Sequence, residues 1–217
     1  MQKKVIHYIY FPSLAIIMMW LAKTAEYILH IDFKSYGNCP RKLDGLIGIV
    51  TSPFIHADFN HLISNTFPFF FLSVAIFYFY RNDAVRIILY SWFITETAVW
   101  IGARSACHIG ASGLVYAFAS FLFFSGILSK DRRLAAISLL VIFLYGGMIW
   151  GIFPTEYYIS WESHLFGFIT GFIVAFYYGK PQSISQIGDD ENDDEFKEQS
   201  STHEKEYDVN YNYNEKE

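Results

Sequence analysis

The chain has 217 residues, of which 53% are hydrophobic and 20% aromatic, with a formal charge of −5; the usual apolar share is roughly 45–50%. Residues 181–217 carry 12 Asp or Glu against 3 Lys, a local −9, so residues 1–180 net +4. An apolar body with an acidic tail is unlike a uniform globule, and no basic patch interleaved with aromatics points to nucleic acid.

Six apolar runs approach the about 20 residues needed to cross a bilayer core. The first runs from about Val5 to Leu29, retained rather than cleaved because it is long and lacks a small-residue cleavage site, with Pro12 inside and Lys23 and Glu26 near its end. Lys23 and Glu26 are spaced to pair or to snorkel. His30 to Thr51 is a connection broken by Gly37-Asn38-Cys39-Pro40 and Asp44-Gly45, and its apolar residues suit a segment lying in the interface. The second span covers about Asn60 to Tyr80. The third, about Ala84 to Ile101, contains Glu96, a carboxylate that must face protein or water. The fourth runs from Gly110 to about Leu128, the fifth from about Leu134 to Trp150, and the sixth from about Ile159 to Tyr178. The expected organisation is an all-α membrane domain over residues 1–180 and an acidic, disordered cytoplasmic tail over 181–217, too charged and too poor in apolar residues to build a core.

Basic residues set the orientation. With the N-terminus cytoplasmic, inner segments hold Lys3, Lys4, Arg81, Arg86, Lys130, Arg132, Arg133 and Lys180, and outer ones only Lys34, Arg41, Lys42 and Arg104. Both termini are then cytoplasmic. Cys39 and Cys107 both fall outside, where a disulfide is permitted; with no knowledge of their separation they are read as unpaired, and without CxxC or similar spacing they suggest no metal and no cofactor.

In this orientation three polar groups reach the same external end. His56, His61 and Asn65 precede or open the second span, Ser112 opens the fourth within Gly110-Ala111-Ser112-Gly113, and His164 opens the sixth. His61 and Asn65 share a helical face, as do Ser112 and Tyr116, and Gly167 and Gly171. The last pair is a GxxxG pattern that lets two helices approach closely, which would carry His164 towards Ser112. A serine hydroxyl needs a base to act as a nucleophile, usually histidine. No Asp or Glu matches His164, since Glu162 lies on a different face, so the chemistry would be that of a dyad.

These motifs, H-x4-H-x3-N at His56, His61 and Asn65, GxSG at Gly110 to Gly113, and H-x2-G-x3-G at His164, Gly167 and Gly171, make residues 5–180 resemble the rhomboid family of intramembrane serine proteases. The resemblance implies a six-transmembrane-helix rhomboid-like bundle with Ser112 as nucleophile and His164 as general base. It also implies an oxyanion hole of His61, Asn65 and the Ser112 amide, Tyr116 stacked on His164, and a structural His56. Gly110, Gly113, Gly167 and Gly171 would support the site. The implied substrates are single-span membrane proteins whose helix unwinds readily near its outer end, and the implied location is a bacterial inner membrane, in contact with lipid. One departure is the first outer loop, where many relatives carry Trp-Arg and this chain has Tyr36-Gly37-Asn38-Cys39-Pro40-Arg41.

Other readings of the same residues are plainer. Ser112 alone fits a small-residue packing motif, and His61 with Asn65 fits interhelical bonding. Glu26 and Glu96 read as structural, and His7, His30, His108 and His203 as interfacial or solvated. A transporter would line a pathway with such groups, but here they gather at one face and no inverted repeat is visible. The remaining alternative is a catalytically inactive rhomboid-like protein that binds membrane clients.

Overall fold

The computed structural model describes residues 2–130, 132–144, 150–154 and 160–179. The chain divides after Pro181, and the acidic tail anticipated from the charge count lies outside the described residues. Within them the protein is all-α: α1 (Gln2–Leu29), α2 (Gly48–Thr51), α3 (Phe59–Phe79), α4 (Ala84–Gly102), α5 (Ser112–Ser129), α6 (Arg132–Leu144) and α7 (Trp161–Tyr178), with four short 3-10 turns between them. The single-turn α2 belongs to the first connection. The other six coincide with the expected spans to within a few residues, α6 being described over only part of its run.

Four of these helices, α1 from Tyr8 onward, α3, α4 and α5, are long and apolar enough to cross a membrane. The described part of α6 has 13 residues, and α7 is diluted by Glu162, Ser163 and His164 in its first turn. Pro12 and Pro68 sit inside α1 and α3, as membrane helices tolerate when neighbours re-satisfy the freed carbonyls.

Helix α5 is the axis of the bundle and touches α3, α4, α6 and α7. It is apolar on all sides, as a helix surrounded along most of its length must be, and Leu114, Phe118, Phe121 and Leu122 are buried. Its most extensive contact is with α7, where a Cβ on Gly167 would overlap the Gly113 carbonyl and one on Gly171 the Ala117 carbonyl. The GxxxG pattern therefore does place two backbones in contact. At the perimeter, Tyr10, Ile17 and Leu21 of α1 and Phe176 and Tyr177 of α7 are exposed, apolar side chains suited to lipid rather than water.

The connection between α1 and α3 is tied down by polar bonds. Glu96, 3% exposed on α4, accepts from Asn38 Nδ2 at 2.8 Å and Ser52 Oγ at 2.9 Å, so the third-span carboxylate faces protein. Arg41 donates to the carbonyls of Ile101 and Ala103 and to Ser105 Oγ, and Trp92 and Trp100 donate to the Ile49 and Lys42 carbonyls. The loop that lacks the family's Trp-Arg pair is thus anchored by tryptophans from α4. Lys23 pairs with Glu26 at 2.6 Å and also donates to the Ala57 carbonyl.

The reading of Cys39 and Cys107 as unpaired is corrected: they form a disulfide, with Cα atoms 4.1 Å apart. The reason lies next door, where Asn38 and His108 exchange backbone hydrogen bonds of 2.9 and 2.8 Å. That two-stranded bridge brings the following residue of one segment beside the preceding residue of the other.

Candidate active site

At the N-terminal ends of α3, α5 and α7 lies a cavity of about 990 Å³ lined by His61, Asn65, Ser112, Tyr116 and His164 among others. The sequence-predicted residues from three separate helices meet there.

Each is positioned by local chemistry. Asp58 caps α3, its carboxylate accepting from the His61 N–H at 2.8 Å, which fixes the turn carrying His61. That bond outweighs the opposing effect of burial and holds the Asp58 carboxyl below its ordinary range. Gly110 has φ +106°, a backbone conformation that a side chain resists. A Cβ there would also stand 2.8 Å from His61 Nε2 and 3.6 Å from Asn65 Nδ2. Both groups therefore converge on the backbone two residues before Ser112. Asn65 Nδ2 meanwhile donates to the His61 carbonyl at 3.1 Å.

Ser112 is the first residue of α5, whose N-cap, Ala111, has no capping side chain. Helix N-termini leave amides unpaired and carry partial positive charge, so an oxygen acquiring negative charge here meets donors. His164, on the first turn of α7, places Nε2 2.8 Å from Ser112 Oγ. Its ring stacks on Tyr116 with centroids 4.3 Å apart and planes within 12°. A hydroxyl held against an imidazole nitrogen can be deprotonated as it attacks.

His56 is buried beside His61, with ring centroids 5.1 Å apart, and its Nε2 faces the Ala111 N–H at a long 3.5 Å. Burial first, then the neighbouring His61, lowers its pKa to about 3. It is neutral at any ordinary pH, a support rather than a proton donor. Among the described residues no cluster of three or more His, Cys, Asp or Glu is arranged to hold a metal.

Two features escaped the sequence. His108, read there as interfacial or solvated, is 4% exposed. Its Nδ1 lies 2.5 Å from Ser160 Oγ, which in turn meets Ser163 Oγ at 2.6 Å, tying the segment before Ser112 to the start of α7. Burial is the main cause of a lowered His108 pKa. A histidine in a polar link carries no sequence signal for such a partner 52 residues away. The second is the Gly151 carbonyl, 2.8 Å from His164 Nδ1, a main-chain atom that no side-chain motif could announce. Glu162, beside the site, instead faces Arg104 at 3.5 Å.

Comparison with known proteins agrees with the helical architecture. A model of the rhomboid domain matches residues 44–181. Uncharacterized proteins of Mycobacterium bovis and Mycobacterium tuberculosis are each 31% identical over 152 residues, 66% of this chain and 63% of theirs, so the match spans under two thirds of those relatives. An uncharacterized protein of Mycobacterium leprae is 28% identical over 174 residues, 76% of this chain and 69% of its own. A putative rhomboid protein of Acanthamoeba polyphaga mimivirus is 24% identical over 144 residues, 63% of this chain and 78% of its own. With a domain match over more than half its length and apolar helices that can cross a membrane, this multi-pass integral membrane protein belongs to the rhomboid family.

Proposed function

We propose that the protein is an intramembrane serine endopeptidase that cuts single-span membrane proteins in or near their transmembrane segment. The observation that carries this reading is the 2.8 Å contact between Ser112 Oγ and His164 Nε2, set in a cavity at one end of an apolar bundle. In this mechanism Ser112 Oγ attacks the scissile carbonyl carbon while His164 Nε2 takes its proton. The carbonyl oxygen becomes an oxyanion that receives hydrogen bonds from the Ser112 amide, Asn65 and His61. His164 then gives the proton to the leaving amine nitrogen as the C–N bond breaks. Water, deprotonated by the same nitrogen, hydrolyses the Ser112 ester and regenerates the hydroxyl. Fixed donors in a water-poor site stabilise the oxyanion strongly, and losing one costs on the order of 10²–10³ in rate. Gly110 leaves room for His61 and Asn65, and Gly113, Gly167 and Gly171 for the α5–α7 approach.

We also place the site at the outer face of a bacterial inner membrane, with both termini cytoplasmic. The basic-residue bias favours this side, and the Cys39–Cys107 disulfide belongs in an oxidising compartment.

The test is cleavage of single-span reporter substrates by the purified protein in liposomes. Ser112→Ala and His164→Ala each abolish cleavage, and the double variant loses little more, because the two groups serve one step. A fluorophosphonate labels Ser112 in the natural protein and fails without His164. Persistent cleavage by Ser112→Ala overturns the reading. Substrate capture with neither cleavage nor labelling would favour the client-binding alternative.

A further inference from the structure

We propose that the Gly151 main-chain carbonyl is a positioning group for His164, completing the Ser112–His164 pair in place of a carboxylate. This rests on the protease reading and adds the element that selects the state of the base.

A stacked imidazole is only half constrained. Tyr116 fixes the plane of the His164 ring, but rotation by 180° about the Cβ–Cγ bond keeps that plane and exchanges the two ring edges. The neutral ring can also carry its proton on either nitrogen. Only one of the four combinations presents an Nε2 lone pair to the Ser112 hydroxyl. Gly151 O lies 2.8 Å from Nδ1, and a carbonyl oxygen can only accept. It therefore requires N–H at Nδ1 and nitrogen rather than carbon on that edge, which selects both the flip and the tautomer. Nε2 is left as the acceptor 2.8 Å from Ser112 Oγ. This is the orienting task that a carboxylate performs in a triad, where the wrong tautomer costs about 10⁴ in kcat. Glu162, the acidic residue nearest in sequence, is directed at Arg104 instead.

The identity of residue 151 follows from the same crowding. A Cβ there would overlap Tyr116 Oη and stand 3.0 Å from His164 Nδ1, so any side chain pushes the carbonyl away from the ring or the ring from Tyr116. A neutral carbonyl also stabilises the imidazolium formed during attack less than a carboxylate would, and it needs no buried charge at membrane depth.

Two measurements test this separately from the protease reading. The first is ¹⁵N NMR of the full chain, labelled at imidazole nitrogens, in micelles at neutral pH, with the His164 resonances assigned by their loss in His164→Asn. The neutral ring should be the Nδ1–H tautomer; an Nε2–H tautomer, or an even mixture, overturns the proposal whether or not the protein cleaves. The second is Gly151→Ala, which should slow fluorophosphonate labelling of Ser112 and lower kcat by about 10²-fold or more, with KM within about threefold and a mixed His164 tautomer. Adding Tyr116→Phe, which removes the oxygen the new Cβ meets, should recover part of the labelling rate. Unchanged labelling in folded Gly151→Ala overturns the proposal. If Gly151→Ala fails to fold, the tautomer of the natural protein still decides. Absence of cleavage and labelling in the natural chain would count against the protease reading instead.

Discussion

The α5–α7 seam and the connection between α1 and α3 support the same cavity by opposite means. Apart from the Ser112–His164 contact and Ser120 donating to the Phe168 carbonyl, the seam relies on glycines that let backbones touch. The connection is fastened by a buried carboxylate, arginine and tryptophan donors, a backbone bridge and a disulfide. Within a membrane, burying apolar surface adds little between helices that lipid already solvates, so close packing must serve. A loop at the surface can use polar groups, provided each buried one is paired. The seam should therefore fail by steric overlap and the connection by loss of partners.

The largest expected effect comes from overfilling the seam. Gly167→Val should abolish Ser112 labelling, although residue 167 is neither nucleophile nor base, because the new side chain meets the Gly113 carbonyl and neither backbone can yield. Thermal unfolding in detergent should fall by about 1–3 kcal/mol. Normal labelling would mean that the seam is compliant and the comparison false.

Next is the connection's carboxylate. Glu96→Ala strands the Ser52 hydroxyl and one N–H of Asn38, whose amide still donates to the main-chain carbonyl of residue 96; a buried donor without a partner costs roughly 1–3 kcal/mol. Because Ser52 O also accepts from Gly110 N, labelling should slow as well. Glu96→Gln, which keeps an acceptor oxygen, should recover much of the loss; equal damage from both variants would show that charge rather than bonding matters.

A smaller change is expected from the disulfide. Cys39→Ser with Cys107→Ser should cost about 2 kcal/mol, the low end of the usual range, since helices held in a membrane or micelle keep the unfolded chain restricted and the Asn38–His108 bridge remains. Abolished cleavage would show the disulfide to be the principal tie.

The smallest effect is set by pH. His56 titrates in the fold near 3 rather than 6.5, so the unfolded chain binds the extra proton first and stability falls as pH drops below about 6.5. Between pH 6.5 and 5.5 the loss is about 1 kcal/mol, with His108 adding in the same direction. Unfolding curves at the two pH values should separate in the natural protein and separate less in His56→Phe, where His108 still contributes; an unchanged separation would place His56 in a more polar setting.

The six long helices and the juxtaposition of His61, Asn65, Ser112 and His164 could be read from the chain because those signals are local. Apolar length marks a span, i, i+4 spacing assigns a face, and the direction of successive spans sorts their ends to one side. Small residues four apart announced the α5–α7 contact for the same reason. Tertiary structure alone decided which distant groups satisfy one another: Glu96 with Asn38 and Ser52, His108 with Ser160, Cys39 with Cys107, and His164 with the Gly151 carbonyl. Hydrogen-bond capacity belongs to a residue, but its partner is set by where the backbone brings a second group within about 3 Å. A main-chain carbonyl, present at every position, has no letter of its own.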